Sequence, residues 1–256
     1  MRFLRIVLPV LITPWMFPLN AQDPPQRDAR ALAVMQQSLA VMGGSVPTDS
    51  VATGRVSLIE GPDTDEGQVR LLTRGLDQFA ERISTGTRLR AASYSRGRAK
   101  SENELSAKTE SLIWATSSHV PSFPAVLVGA SLSNSDFAFE YIGLEKVGAS
   151  NAHHIRVWNT FSSQPKLRML APFTEKHIWI DAASGLPLKV YCEQRSAGGA
   201  VPAVPVEVVY SDYRNVNGVL YPFHIEKSLN GSLWATITIE RVALNSGLAD
   251  ADFPVR

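Results

Sequence analysis

The chain predicts an α+β domain: a single large curved antiparallel β-sheet, an unclosed half-barrel of about ten strands, with two helices packed over its concave face. Three observations predict it. Apolar and polar residues alternate through most of the chain, as in strands with one buried face. Gly, Asn and Pro cut the alternation into hairpin-sized runs. Only two stretches break the pattern in a helical sense. Strands with one apolar and one charged face belong to antiparallel sheets that are wet on one side, which disfavours a doubly wound enzyme fold.

The N-terminus is set apart first. Arg2 and Arg5 precede the apolar stretch 6–19, and Leu19-Asn20-Ala21 ends in a small residue. Residues 1–21 therefore predict a signal peptide cleaved after Ala21, and residues 22–256 a single exported, periplasmic domain. Pro9, Pro14 and Pro18 interrupt the apolar stretch, which is too short for a bilayer-spanning helix of about 20 residues. Gln22, not a cysteine, stands just after the expected cleavage site, which excludes lipid attachment there.

From Asp28, Leu32, Met35, Leu39 and Met42 recur at helical spacing up to Gly43-Gly44, where glycine suits a C-cap. Strands are expected at 51–60, 67–74, 78–85 and 87–95. The charged and serine-rich stretch 99–118 gives no clear element. Pro124 suits a helix's first position, and Val126, Leu127, Ala130 and Leu132 make a short helix apolar almost all round, hence buried. Further strands are expected at 136–147, 152–161, 175–181 and 186–194, with loops at 162–174 and 196–205. The last three, 206–213, 219–228 and 232–244, form a meander through two Asn-Gly turns.

Composition narrows the function classes. The formal charge falls from +1 to −1 once Arg2 and Arg5 leave with the signal peptide, so no net field draws nucleic acid. Arg88, Arg90, Arg96, Arg98 and Lys100 form one basic cluster, read as a solvated face. The single cysteine, Cys192, lies in an apolar alternation and reads as a buried structural thiol. His153 and His154 are adjacent in a strand, so they point to opposite faces and cannot share an ion. His119, His177 and His224 lie on other elements. No metal site and no cofactor are expected. No Gly-x-Ser-x-Gly elbow or Ser-x-x-Lys helix start is present, and no Gly-rich phosphate loop, so no catalytic residue is assigned. The pairs Glu102/Glu104 and Glu140/Glu145 sit beside Lys, Arg or Ser and read as solvated carboxylates.

The sharper expectation concerns the apolar face. A sheet of about ten strands curls, and its concave side must be filled by helices or by a ligand. Phe137, Phe139, Tyr141, Ile155, Val157, Ile178, Ile180, Val208, Ile237 and Ile239 are the candidate lining. Two helices leave room for an apolar pocket.

Short motifs then carry a resemblance. They are Ile178-Trp-Ile-Asp181 followed by Ser-Gly-Leu-Pro187, Tyr210-Ser-Asp-Tyr-Arg-Asn-Val-Asn-Gly218, Tyr221-Pro222, Asn230-Gly231, Val242-Ala-Leu-Asn245 and Ala251-Asp-Phe253. With the signal peptide and the helix ending in Gly-Gly, the chain resembles the periplasmic outer-membrane lipoprotein carrier superfamily (LolA/LolB-like), in its lipoprotein-sorting-like branch. The resemblance implies an unclosed antiparallel barrel with helices as a lid over an apolar cavity, which in relatives holds acyl chains, other lipids or a partner's peptide segment. The chain departs from the carriers in its Pro-bearing middle helix and its long loops, and no residue matches their lid-contacting arginine. The expectation is a monomeric, non-enzymatic carrier or binding protein for a lipid or acylated lipoprotein. The alternative is an envelope scaffold that binds a peptide or protein partner on the same fold.

Overall fold

The computed structural model describes residues 26–86, 88–103, 107–110, 112–117, 120–195 and 202–255. The expected signal peptide, His119 and Glu104 lie outside them. All described strands join one antiparallel sheet in the order β6-β5-β4-β3-β2-β1-β13-β12-β11-β10-β9-β8-β7. The strands at its two ends do not pair, so the sheet is unclosed.

Strands β1 (Ser50–Glu60), β2 (Asp63–Arg74), β3 (Gln78–Thr85) and β4 (Leu89–Ser95) form the expected first meander. β7 (Phe137–Val147), β8 (Ser150–Asn159), β9 (Lys176–Asp181) and β10 (Pro187–Gln194) form the second. β11 (Val204–Val216), β12 (Val219–Leu229) and β13 (Ser232–Leu244) close the chain against β1. The count of about ten strands and two helices needs correcting: the described residues form thirteen strands and three α-helices. The additions come from the stretch that gave no clear element. It folds as β5 (Arg98–Asn103), β6 (Ala107–Glu110) and the short helix α2 (Leu112–Ser117). A strand at a sheet edge has little interior to face, so it need not show apolar alternation; of β5 only Ala99 is buried.

The other two helices behave as their patterns predict. Helix α1 (Ala29–Val41) starts where the Asp28 side chain accepts a hydrogen bond from Ala31 N at 2.8 Å, satisfying a backbone donor the helix leaves free. It buries Ala31, Met35 and Ser38, and its end is stitched to β12 by Leu220 N donating to Met42 O at 3.1 Å. Helix α3 (Pro124–Ser133) buries Pro124 through Gly129. Its two ends are held by single side chains. Tyr210 Oη donates to Pro121 O at 2.7 Å just before the helix, and Arg27 donates to Leu132 O at 3.0 Å at its C-terminal end, where a cation also suits the helix dipole. The two helices meet at Gly129. A Cβ there would lie 2.1 Å from a methyl of Val46, in the loop after α1, and 3.7 Å from Leu39 of α1, so glycine lets both pack close.

The meander turns are Asn217-Gly218 and Asn230-Gly231, with φ of +52° and +87° in the first and +52° and +78° in the second. Two consecutive positive φ values define the turn whose twist matches paired strands. Alternate residues of these strands point inward, so Val208, Tyr210, Ile225, Ile237 and Ile239 join residues of α1 and α3 in one core.

Candidate functional site: a cavity between the ends of the sheet

A cavity of about 600 Å³ lies where the two ends of the sheet approach each other. One wall is Leu76, Tyr94 and Arg96, from β4 and the adjacent β2–β3 and β4–β5 turns; the opposite wall is Phe137 and Val157, from β7 and β8. β4 and β8 stand nine places apart in the sheet, which in a flat sheet is about 43 Å. A cavity of this size touches both only because the sheet curls around it. Leu127 and Ala130 of α3 form the roof.

The floor comes from an element the sequence reading left as a loop. Residues Pro165–Phe173 wind into a 3₁₀ run. Its three-residue repeat puts Leu167 and Leu170 on one side, and both line the cavity with Phe161 and Gln164. Asp136 fixes the entry to this run. It accepts from Ser162 Oγ at 2.8 Å and Ser163 N at 2.9 Å, and from Ser163 Oγ. Burial acts to raise its pKa, but the hydrogen bonds from Ser163 and Ser162 outweigh it, so the carboxyl sits below the usual aspartate value.

Beyond the run, Lys176 is 8 % exposed and lines the cavity on the same inward face as Ile178 and Ile180. Its Nζ has no hydrogen-bond partner, and burial pulls its pKa below the usual lysine value. A second, smaller cavity of about 210 Å³ lies between β2–β3 and β11–β13, lined by Phe79, Val206, Val208 and Trp234. The Lys227–Glu81 ion pair at its wall is already satisfied.

No protein-family model and no curated protein matches the sequence. Solved structures do match in shape. A domain from Vibrio parahaemolyticus named for outer membrane lipoprotein sorting superposes with a TM-score of 0.54 at 15% identity, over 88% of this chain and 96% of that one. A LolA superfamily protein from Nitrosomonas europaea gives 0.54 at 12% identity, over 88% and 97%. The fold is LolA-like. A DUF1329 family protein from Desulfovibrio piger shares it too, with a TM-score of 0.53 at 10% identity, over 88% and 97%.

Within this LolA-like fold the ten candidate lining residues fall into three groups. Phe137 and Val157 line the larger cavity and Val208 the smaller. Phe139, Ile155, Ile178, Ile180, Ile237 and Ile239 face the same interior but are closed over by the core. Tyr141 is partly buried against that core and lines neither cavity, with the Arg30 guanidinium 4.0 Å from its ring and His153 Nδ1 3.0 Å from its hydroxyl. Leu76, Tyr94, Leu167, Leu170 and Lys176 were missed. For Lys176 the signal was present: the alternation that selects Ile178 and Ile180 extends back to it.

On the outer face of β7–β9 the LolA-like sheet carries a polar network, and this corrects the view of the histidines as unrelated. His153 and His154 do point to opposite faces, but His154 finds His177 on the neighbouring strand. His154 Nε2 and His177 Nδ1 are 2.7 Å apart, with Glu145 2.8 Å from the other nitrogen of His154 and Glu175 3.2 Å from that of His177. Trp179 donates to Glu145 at 2.8 Å and stacks on His154. Arg156 bridges Glu175 at 2.7 Å and Glu140 at 2.9 Å, so Glu140 and Glu145 have separate partners. A hydrogen bond between two imidazoles requires one to be neutral, and burial lowers the His177 pKa accordingly. Neither cavity reaches this network. The basic cluster is also engaged: Arg88 pairs with Asp65 at 3.4 Å, Arg96 with Asp250 at 3.2 Å and Lys100 with Glu102 at 3.4 Å. Cys192 is buried, as its alternation implied.

Proposed function

We propose that this protein is a non-enzymatic carrier or binding protein of the bacterial envelope that holds an acyl chain, of a lipid or of an acylated protein, in the cavity between α3 and the curled sheet. The observation that carries the reading is the cavity itself, walled by Phe137, Val157, Leu127, Leu167 and Leu170 and open between two ends of one sheet. Each buried methylene contributes about 0.8 kcal/mol, so the acyl tail by itself supplies affinity there. The LolA-like fold supports the reading, since one structure that shares it is named for outer membrane lipoprotein sorting. The N-terminal charged and apolar segment supports export to the periplasm, where the mature chain would act as a monomer.

Native mass spectrometry of the protein purified from its own envelope tests this. Co-purifying lipid is the expected result, and it disappears in Ala130→Trp, which fills the cavity from the helix. A wild-type protein that carries no lipid, and takes none up from vesicles, overturns the reading. Capture of a peptide with the cavity empty would favour the scaffold alternative.

A further inference from the structure

Lys176 is out of place on any structural account. It stands on a strand whose inward neighbours are Ile178 and Ile180, with its Nζ closed off from water and without a hydrogen-bond partner. A buried amine of that kind destabilises the fold unless something compensates. The facing titratable group is the Cys192 thiol on β10, and burial pushes that thiol's ionisation up, so it offers no negative charge. No compensation is therefore found among the described residues. The stem of Lys176, however, lines the 600 Å³ cavity, and a lysine's flexible four-carbon stem lets its amine turn into that space.

We propose that Lys176 is the polar anchor of the cavity, its ammonium pairing with the carboxylate of a single-chain fatty acid whose tail lies along Leu167, Leu170 and Leu127. The proposal rests on the carrier reading and adds a ligand class to it. Two magnitudes set that class. At about 30 Å³ for a water-sized group, the cavity holds roughly twenty such groups, which is one long acyl chain with its head and not the several chains of a phospholipid or a lipidated N-terminus. One lysine is a point charge and matches a monoanion, whereas a phosphate calls for several converging donors. In the empty protein burial favours the neutral amine. The fatty acid ionises to its carboxylate, and the proton it releases goes to the amine where that is neutral and to water otherwise, so no other reactant is needed.

The test uses the delipidated mature chain and competition against a fluorescent fatty acid, with hexadecanoate, hexadecan-1-ol and hexadecyl phosphate as probes. Wild type should prefer the acid. Lys176→Met should weaken the acid on the order of tenfold to a hundredfold, the loss of a charge-assisted hydrogen bond, and leave the alcohol unchanged. Lys176→Arg should keep the preference for the acid. The Met variant should also melt higher than wild type when empty, an outcome that rules out misfolding as the cause of lost binding. If acid and alcohol both bind and Lys176→Met changes neither, or both alike, the anchor is wrong and the carrier reading stands. If hexadecyl phosphate binds better than the acid, the head-group class is wrong. If wild type binds none of the three, the cavity reading falls and the anchor with it.

Discussion

The meander β11–β13 and the segment 161–176 follow opposite rules. In the meander every level agrees: alternation places Val208, Ile237 and Ile239 inside, Asn-Gly turns set the register, and Ile237 and Ile239 are closed over by the core. In the segment 161–176 the levels conflict. A 3₁₀ run stands where a loop was expected, a proline sits inside it, and the strand that follows begins with a buried lysine. The first region supplies scaffold and the second supplies the floor of the larger cavity. Departures from local consistency mark the places where a chain gives up stability for function.

That contrast can be broken at its strong end. Ile237→Ala, at a fully buried position of the meander, should cost about 2–5 kcal/mol in a denaturant melt. A cost as small as that of a surface substitution would mean the scaffold is elsewhere. Gly129→Ala should come next, because the added methyl meets Val46 at a cost of about 1–3 kcal/mol. In a Val46→Ala background the same change should turn neutral or stabilising, as alanine is the better helix former. A double-mutant cycle on the melting midpoint measures the coupling.

Lys176→Met sharpens the comparison from the other side. Removing an unpartnered buried amine should stabilise by about 1–3 kcal/mol, or about 2–4 °C in Tm for each kcal/mol. A fall in Tm would show that the lysine has a structural partner and is not a functional strain. Asn230→Ala, at φ +52° in its turn, should cost about 1 kcal/mol, and Asn230→Gly should recover most of it.

The smallest effect expected is on pH dependence. Burial lowers the pKa of both His153 and His177 in the folded protein, while an unfolded histidine titrates near 6.5. As pH falls through that value the unfolded chain takes up protons first, so stability declines with acid and is fully present only above about pH 6.5. His177→Gln should flatten the decline of Tm below pH 6.5, whereas an unchanged slope would place the titration elsewhere.

Much of the fold was legible because its rules are local. Asp28, the Gly43-Gly44 stop, Pro124 and the two Asn-Gly turns each sit where the chemistry of one or two residues decides the backbone. The inward face was legible by period two. The edge hairpin β5–β6 was not, since an edge strand owes its conformation to the pairing of β4 with β5 and not to its own side chains. The 3₁₀ floor was hidden by its prolines, although Leu167, Leu170 and Phe173 keep its spacing of three.

The sequence by itself determined most of the strands, their inward residues, the hairpin turns and the ends of α1 and α3, because steric and hydrophobic preferences act within a few residues. Only the tertiary structure decided that Tyr94 and Val157, nine strand places apart, share one cavity. The same holds for His154 meeting His177, and for Lys176 being left without a partner. Each of these depends on how far a long sheet curls, and curl accumulates from the small twist of every strand pair, which no single stretch of residues contains.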